Sequence, residues 1–186
     1  MPPPGTQLYF IALIPPSPVF EEAQSLKEYF HDHYGCKAAL NSPPHITLHM
    51  PFQWKEKKEG KLTEALEKFS IGKNAFAVSF RDFSCFAPKV IYIDAKPSKP
   101  LDTLQRDLHR FCKTELNLFN AQYRDLPFHP HLTLAFRDLK KDMFSKAWLE
   151  FQEKKFTGGF SVDKITLLKH YGKKWERFRE FDFLKR

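Results

Sequence analysis

Two short stretches carry a proline, a histidine, an apolar residue and a threonine in that order: SPPHITLHMPF at 42–52 and FHPHLTLAFRD at 128–138. His45 and His131 stand 86 positions apart, and Thr47 and Thr133 each follow their histidine by two residues. Imidazole gains and loses its proton near neutral pH, so two of them can hold one base and one acid at the same time. Phosphodiester cleavage without a metal needs that pairing. A neutral imidazole takes a proton from the attacking water or hydroxyl while an imidazolium gives one to the departing oxygen. Threonine hydroxyls close by would donate to the non-bridging phosphate oxygens and offset the charge that grows there.

Such chemistry requires four side chains on one surface. Proline disfavours the helical region for the residue before it, and Ile46 and Thr47 are β-branched, so 45–50 is expected to be a strand closed by Pro51. Side chains alternate along a strand. His45 and Thr47 then share one face while Ile46 and Leu48 take the other, and His131 and Thr133 oppose Leu132 and Leu134 in the same way. The apolar face would bury against helices and leave the His/Thr face looking into a cleft. One such motif arises by chance in many strands. Two, each introduced by proline and followed by an aromatic-containing stretch, point to a paired site.

The surrounding pattern supplies the elements. Leu8–Ile14 is expected to be a buried strand, and Phe20–Tyr34 a helix with Phe20, Ala23, Leu26 and Phe30 at helical spacing, stopped by Gly35. A second helix is expected over Lys61–Phe69, then strands in AFAVSFRDFSCFAP and VIYIDAKP. The order then repeats: a helix over Leu101–Leu116, a strand over 131–136, a helix over Lys140–Phe151, and a tail of two strands turning near Gly172. No Gly/Ser linker separates the halves, and AKPSKP at 95–100 is the best candidate hinge. The expected architecture is α+β: one bilobal domain over 1–186, its two pseudo-symmetric lobes each an antiparallel sheet with helices packed outside, flanking a central groove.

Composition narrows the partners. The chain has 186 residues, 42% of them hydrophobic and 20 of them Phe, which supplies a core and argues against disorder. A net charge of +8 suits polyanions such as RNA or small phosphorylated ligands, and equally a soluble protein that happens to be basic. Cys36, Cys85 and Cys112 are too few and too scattered for a disulfide framework, which fits a reducing cytosol. The N-terminal apolar run is cut by Pro15 and Pro16, too short to span a bilayer and without a basic leader. A cytoplasmic monomer with no obligate protein partner is expected. A zinc site from His45, His49, His129 and His131 is a rival reading, weakened by the lack of any Asp or Glu within either His-x-Thr-x motif and of a recognised ligand spacing. Serine or cysteine nucleophilic catalysis has no support, with no GxSxG and no Cys near either motif.

PPHITLHMPF and FHPHLTLAF, with the opening YFIALIPP and the closing ITLLKHYGKKWERFREFDF, resemble the 2H (two-histidine) phosphoesterase superfamily. The likeness is strongest to the branch labelled 2′-5′ RNA ligase family proteins and covers nearly the whole chain. It implies two pseudo-symmetric lobes and cofactor- and metal-independent hydrolysis of 2′,3′-cyclic phosphates on RNA ends or nucleotides, with 2′-5′ joining of RNA in some members. It also implies His45 and His131 as the acid–base pair and Thr47 and Thr133 as phosphate holders. Relatives often carry a basic residue directly after the second motif, where this chain has Phe136. Arg137, one residue later, reaches a phosphate if the strand runs on regularly; otherwise it is a surface arginine. Tyr9, Phe10, Phe52, Phe128 and His129 are candidates for base stacking or the groove rim, as are His170, Tyr171, Lys173 and Trp175 for one edge of it. A non-catalytic module holding nucleotides or RNA phosphate ends in the same groove is the alternative from another functional class.

Overall fold

Alternation along the two motif strands sets which way the sheet faces. In the computed structural model, which describes residues 3–119 and 127–183, β2 (Ile46–Lys55) and β5 (His131–Ala135) lie side by side at the centre of a curled antiparallel sheet. Ile46, Leu48, Leu132 and Leu134 point into the main core, where each contributes about 1.5–3 kcal/mol by leaving water. The sheet has eight strands in the order β6-β3-β4-β5-β2-β1-β7-β8. The others are β1 (Thr6–Leu13), β3 (Phe76–Phe86), β4 (Val90–Ala95), β6 (Thr157–Val162), β7 (Lys164–Tyr171) and β8 (Lys174–Asp182). The two expected sheets are thus halves of one, β6-β3-β4-β5 and β2-β1-β7-β8, joined at the single register pair Ile46↔Leu132.

The helices cover one face. They are α1 (Val19–Tyr34), α2 (Glu59–Ser70), α3 (Lys99–Leu116) and α4 (Lys141–Phe151). Gly35 ends α1 in the left-handed region at φ 68°, its N–H returning to the His31 carbonyl. Ser98 caps α3 by accepting from the Leu101 N–H, and Asn117 closes it in the left-handed region. The units β1-α1-β2-α2 and β4-α3-β5-α4 repeat, as expected, but each crossover helix changes sides. α1 leaves β1 and packs on β5 and β6, while α3 leaves β4 and packs chiefly on β2, with a smaller contact on β3. The segment 95–100 is therefore not a boundary between lobes. It carries the chain from one half-sheet to a helix on the other.

Three expectations need correction. β2 does not stop at Pro51 but runs to Lys55. Register shifts at Tyr9/Ile11 and Ile11/Ala12 put bulges in β2, and a proline tolerates a bulge because no ladder N–H is required of it there. The tail holds three strands rather than two. TGGFSV forms β6 against β3, and its two glycines hide the strand signal while allowing close approach: a Cβ on Gly159 would lie 2.7 Å from the Val78 carbonyl oxygen. Finally, the apolar stripe of α1 buries Val19, Ala23, Lys27 and Phe30, so a lysine occupies a core position.

Candidate active site

Each motif histidine is fixed by the backbone just ahead of it. His45 Nδ1 lies 2.7 Å from the Pro43 carbonyl oxygen, and His131 Nδ1 lies 2.7 Å from that of His129. A carbonyl only accepts, so Nδ1 carries the hydrogen in both rings and Nε2 is left as the proton-accepting or proton-exchanging nitrogen. Pro43 and His129 each precede a proline, Pro44 or Pro130, which holds them extended and presets the accepting carbonyl two residues before the ring. Both rings also rest on an aromatic of the neighbouring strand: His45 on Phe10 of β1 at 4.9 Å, His131 on Tyr92 of β4 at 4.9 Å between centroids.

An antiparallel register through Ile46↔Leu132 sets His45 across from Thr133 and Thr47 across from His131. All four residues line one cavity of about 980 Å³, whose wall also takes in residues of α1 and α3. Burial, with the charge of Lys27 second, pushes His45 down to about 3 against the pull of the Pro43 carbonyl. His131 is lowered too, chiefly by burial; the His129 carbonyl pulls it upward, the His129 ring lowers it further, and the Asp94 carboxylate, the weakest of these, raises it. An anion placed between the rings would favour their charged forms. Among the described residues the cavity wall contains Lys27, Arg106, Arg137 and Lys173 and no Asp or Glu.

Of the flanking candidates, Phe10, Phe128 and His129 line the cavity, as do His170, Lys173 and Trp175. Tyr9 and Phe52 do not. Tyr9 shares its face of β1 with Ile11 and Leu13, is fully buried, stacks on Phe52 at 6.1 Å and donates its hydroxyl to Glu59. Tyr171 is exposed and lies outside the cavity wall. Arg137 does reach the wall, by a route other than strand parity: β5 ends at Ala135, and Arg137 turns in the left-handed region at φ 59° with its guanidinium 5.0 Å from the Phe136 ring. His49 departs from the parity expected of it. The register shifts set it opposite Ile11 on the helix side, buried against His109 and Phe52. The four imidazoles of the zinc reading therefore do not converge, and no group of three or more His, Cys, Asp or Glu among the described residues is arranged to hold a metal.

Sequence reasoning did not find Lys27, Gln105, Arg106, His109 or Phe86, all of which line the cavity. Lys27 had a signal, a charged residue four after Ala23 and three before Phe30 on an apolar stripe. The α3 residues had none, because nothing local says that α3 crosses to β2; His109 bonds the Leu48 carbonyl at 3.0 Å.

The curled antiparallel sheet with four helices is the fold of the LigT-like phosphoesterases. The family model of the 2′-5′ RNA ligase superfamily matches residues 15–174, and the chain belongs to that family. It is 27% identical over 162 residues, 86% of each chain, to the protein named "Putative phosphoesterase GK0864" of Geobacillus kaustophilus. It is 28% identical over 164 residues to "Putative phosphoesterase OB1230" of Oceanobacillus iheyensis, covering 86% of this chain and 88% of that one. Among solved structures it resembles TT0787 of Thermus thermophilus (TM-score 0.71, 18% identity, 96% of this chain and 98% of that one). It also resembles E. coli LigT complexed with 3′-AMP (TM-score 0.69, 18% identity, 97% and 99%). No helix among the described residues is long and apolar enough to cross a membrane.

Proposed function

We propose that this chain hydrolyses 2′,3′-cyclic phosphates, on RNA ends or nucleotides, by metal-independent general acid–base catalysis from His45 and His131. The observation that carries the reading is that both rings have Nδ1 committed to a carbonyl while both residues line one cavity with Thr47 and Thr133, whose wall holds no carboxylate among the described residues. The cyclic phosphate sits between the two threonine hydroxyls, which donate to its non-bridging oxygens. One neutral Nε2 takes a proton from water as the new P–O bond forms. The other ring's Nε2–H gives its proton to the ribose oxygen as the old P–O bond breaks, leaving a phosphomonoester and a hydroxyl. With a 5′-hydroxyl in place of water as the nucleophile on the cyclic phosphate, the same groups make a 2′-5′ linkage as the 3′ oxygen departs and takes the proton. Arg137 and the groove aromatics Phe10 and Phe128 hold the rest of the nucleotide. E. coli LigT has been solved with 3′-AMP, ATP and NADP+, which supports phosphorylated nucleotides as the ligand class here. The protein acts as a monomer in the cytoplasm.

The test is hydrolysis of a short RNA ending in a 2′,3′-cyclic phosphate, in EDTA, by wild type, His45→Ala and His131→Ala. Both variants are expected to fall by at least ~10²-fold, the typical worth of one acid–base group. Wild-type binding of phosphate ends without turnover, weakened in both variants, would replace this reading by the non-catalytic binding module.

A further inference from the structure

The two histidines are nearly superposable in sequence and in their hydrogen bonds to the backbone, yet a buried amine stands behind one and a carboxylate beside the other. Behind His45 stands Lys27 of α1, 1% exposed, whose Nζ donates to the carbonyls of Ala39 at 3.0 Å and Ser42 at 2.9 Å. Those carbonyls belong to the segment that leads into Pro43, the residue whose own carbonyl holds the His45 ring. Among the described residues no carboxylate pairs with Lys27, and the side chain lines the cavity. Beside His131 stands Asp94 of β4, its register partner in the sheet. Asp94 Oδ1 accepts from His129 Nε2 at 3.1 Å, and the His129 carbonyl holds the His131 ring. Each histidine is thus held by a carbonyl that is itself positioned next to an ionisable side chain, an amine on one side and a carboxylate on the other.

Resting on the two-histidine reading above, we propose that Lys27 and Asp94 are positioning residues that divide the labour, making His45 the base and His131 the acid. Burial lowers Lys27 to about 7, and in its ammonium form it disfavours a protonated ring beside it, which leaves His45 as the proton acceptor. A carboxylate near a ring favours the protonated form, which leaves His131 as the donor. Substrate reinforces the division, because an anionic phosphate in the cavity favours the ammonium form of Lys27. The other charged or titratable groups facing His45 are His131 across the sheet and, on the cavity wall among the described residues, Arg106 and His109 of α3, His129 ahead of β5, Arg137 after it, and His170 and Lys173 of the β7–β8 hairpin. Facing His131 are Tyr92 and Asp94 of β4 and His129 in the approach to β5. Asp94 is the sole carboxylate acting on either ring among the described residues.

Two measurements test the division. In the first, NMR follows the imidazole titrations of His45 and His131 in wild type, Lys27→Met, Lys27→Arg and Asp94→Asn. Lys27→Met is expected to raise the His45 midpoint by about one pH unit and leave His131 in place, Lys27→Arg to keep the wild-type value, and Asp94→Asn to lower His131 alone. An unmoved His45 in Lys27→Met, or equal movement of both rings, overturns the proposal. Asp94→Asn alters a side chain about one-third exposed and carries the test if the buried methionine does not fold.

The second measurement removes the need for an acid. Bis(4-nitrophenyl) phosphate expels nitrophenolate, which leaves without a proton. On that diester His131→Ala should stay within about tenfold of wild type while His45→Ala falls at least ~10²-fold, although both fail on the cyclic phosphate. The reverse pattern overturns the assignment while leaving the two-histidine reading intact. Wild-type failure on both substrates would instead sink that reading, and the titrations would still report whether the two charges bias the rings.

Discussion

A proline ahead of each histidine was the first sign in the chain, and its role is to aim a carbonyl. Pro44 and Pro130 hold the preceding residue extended, so that the carbonyl two positions before the ring meets Nδ1 at 2.7 Å in both motifs. The strand and its His/Thr face were legible residue by residue, whereas the carbonyl contact came only with the structure. Nor was the place of His49 legible, although it lies four positions from His45. It shares sequence parity with His45, yet the bulges in β2 turn it into the core, where it is 2% exposed and its Nδ1 donates to the Met50 carbonyl at 2.9 Å. Burial, against that carbonyl and with the His109 ring adding to it, pushes His49 down to about 4. A base depressed in the fold is neutral there while the unfolded chain takes up a proton. Stability is therefore lost as pH falls from about 6.5 towards 4. His49→Asn keeps a donor for Met50 but removes the titration. Urea unfolding at pH 7, 5.5 and 4.5 should show a shallower acid loss in the variant, by up to roughly 3 kcal/mol.

At the scale of elements, helices were easier to read than strands because each carries its own signal of period and stop. Gly35 closes α1, and the stripe of Leu101, Leu104, Leu108 and Cys112 is the buried face of α3. Strand β6 carried no such signal, since TGGFSV has neither alternation nor bulk over its first half. What makes it a strand is its neighbour. Gly159 pairs with Ser79 and lets the β3 backbone come so close that an added Cβ would meet the Val78 carbonyl oxygen at 2.7 Å. Gly158 faces movable side chains instead, with Val19 Cγ2 at 3.2 Å. Gly159→Ala is expected to destabilise by about 1–3 kcal/mol, and Gly158→Ala by less, because a backbone oxygen cannot step aside as a methyl group can. Thermal unfolding midpoints of the two variants would rank them, and an equal drop would refute the argument.

At the scale of the molecule, the two half-sheets are interleaved. The half that bears His45 takes β1 and β2 from the start of the chain and β7 and β8 from its end, while its helix α3 comes from the middle. The half that bears His131 receives α1 from the first repeat. Splitting the chain between Pro97 and Ser98 leaves neither piece with a complete half-sheet. We expect that neither 1–97 nor 98–186 unfolds cooperatively alone. The whole chain is expected to unfold in one transition, with tryptophan fluorescence and circular dichroism coincident in urea. Separate transitions for the two probes would show the lobes to be independent.

The sequence by itself determined the two strands, their inward and outward faces, the repeat of helix and strand around them and the identities of the four residues that meet in the cavity. These follow from rules of one or a few residues: period, proline geometry and side-chain alternation. The tertiary structure alone decided what stands behind those residues. Lys27 reaches the His45 side because α1 crosses the sheet, Arg106 and His109 reach the cavity because α3 crosses the other way, and Asp94 lies beside His131 through the register of β4 with β5. Such neighbours are set by packing between segments far apart in the chain, where local rules say nothing. The same packing gave two almost identical motifs opposite electrostatic surroundings.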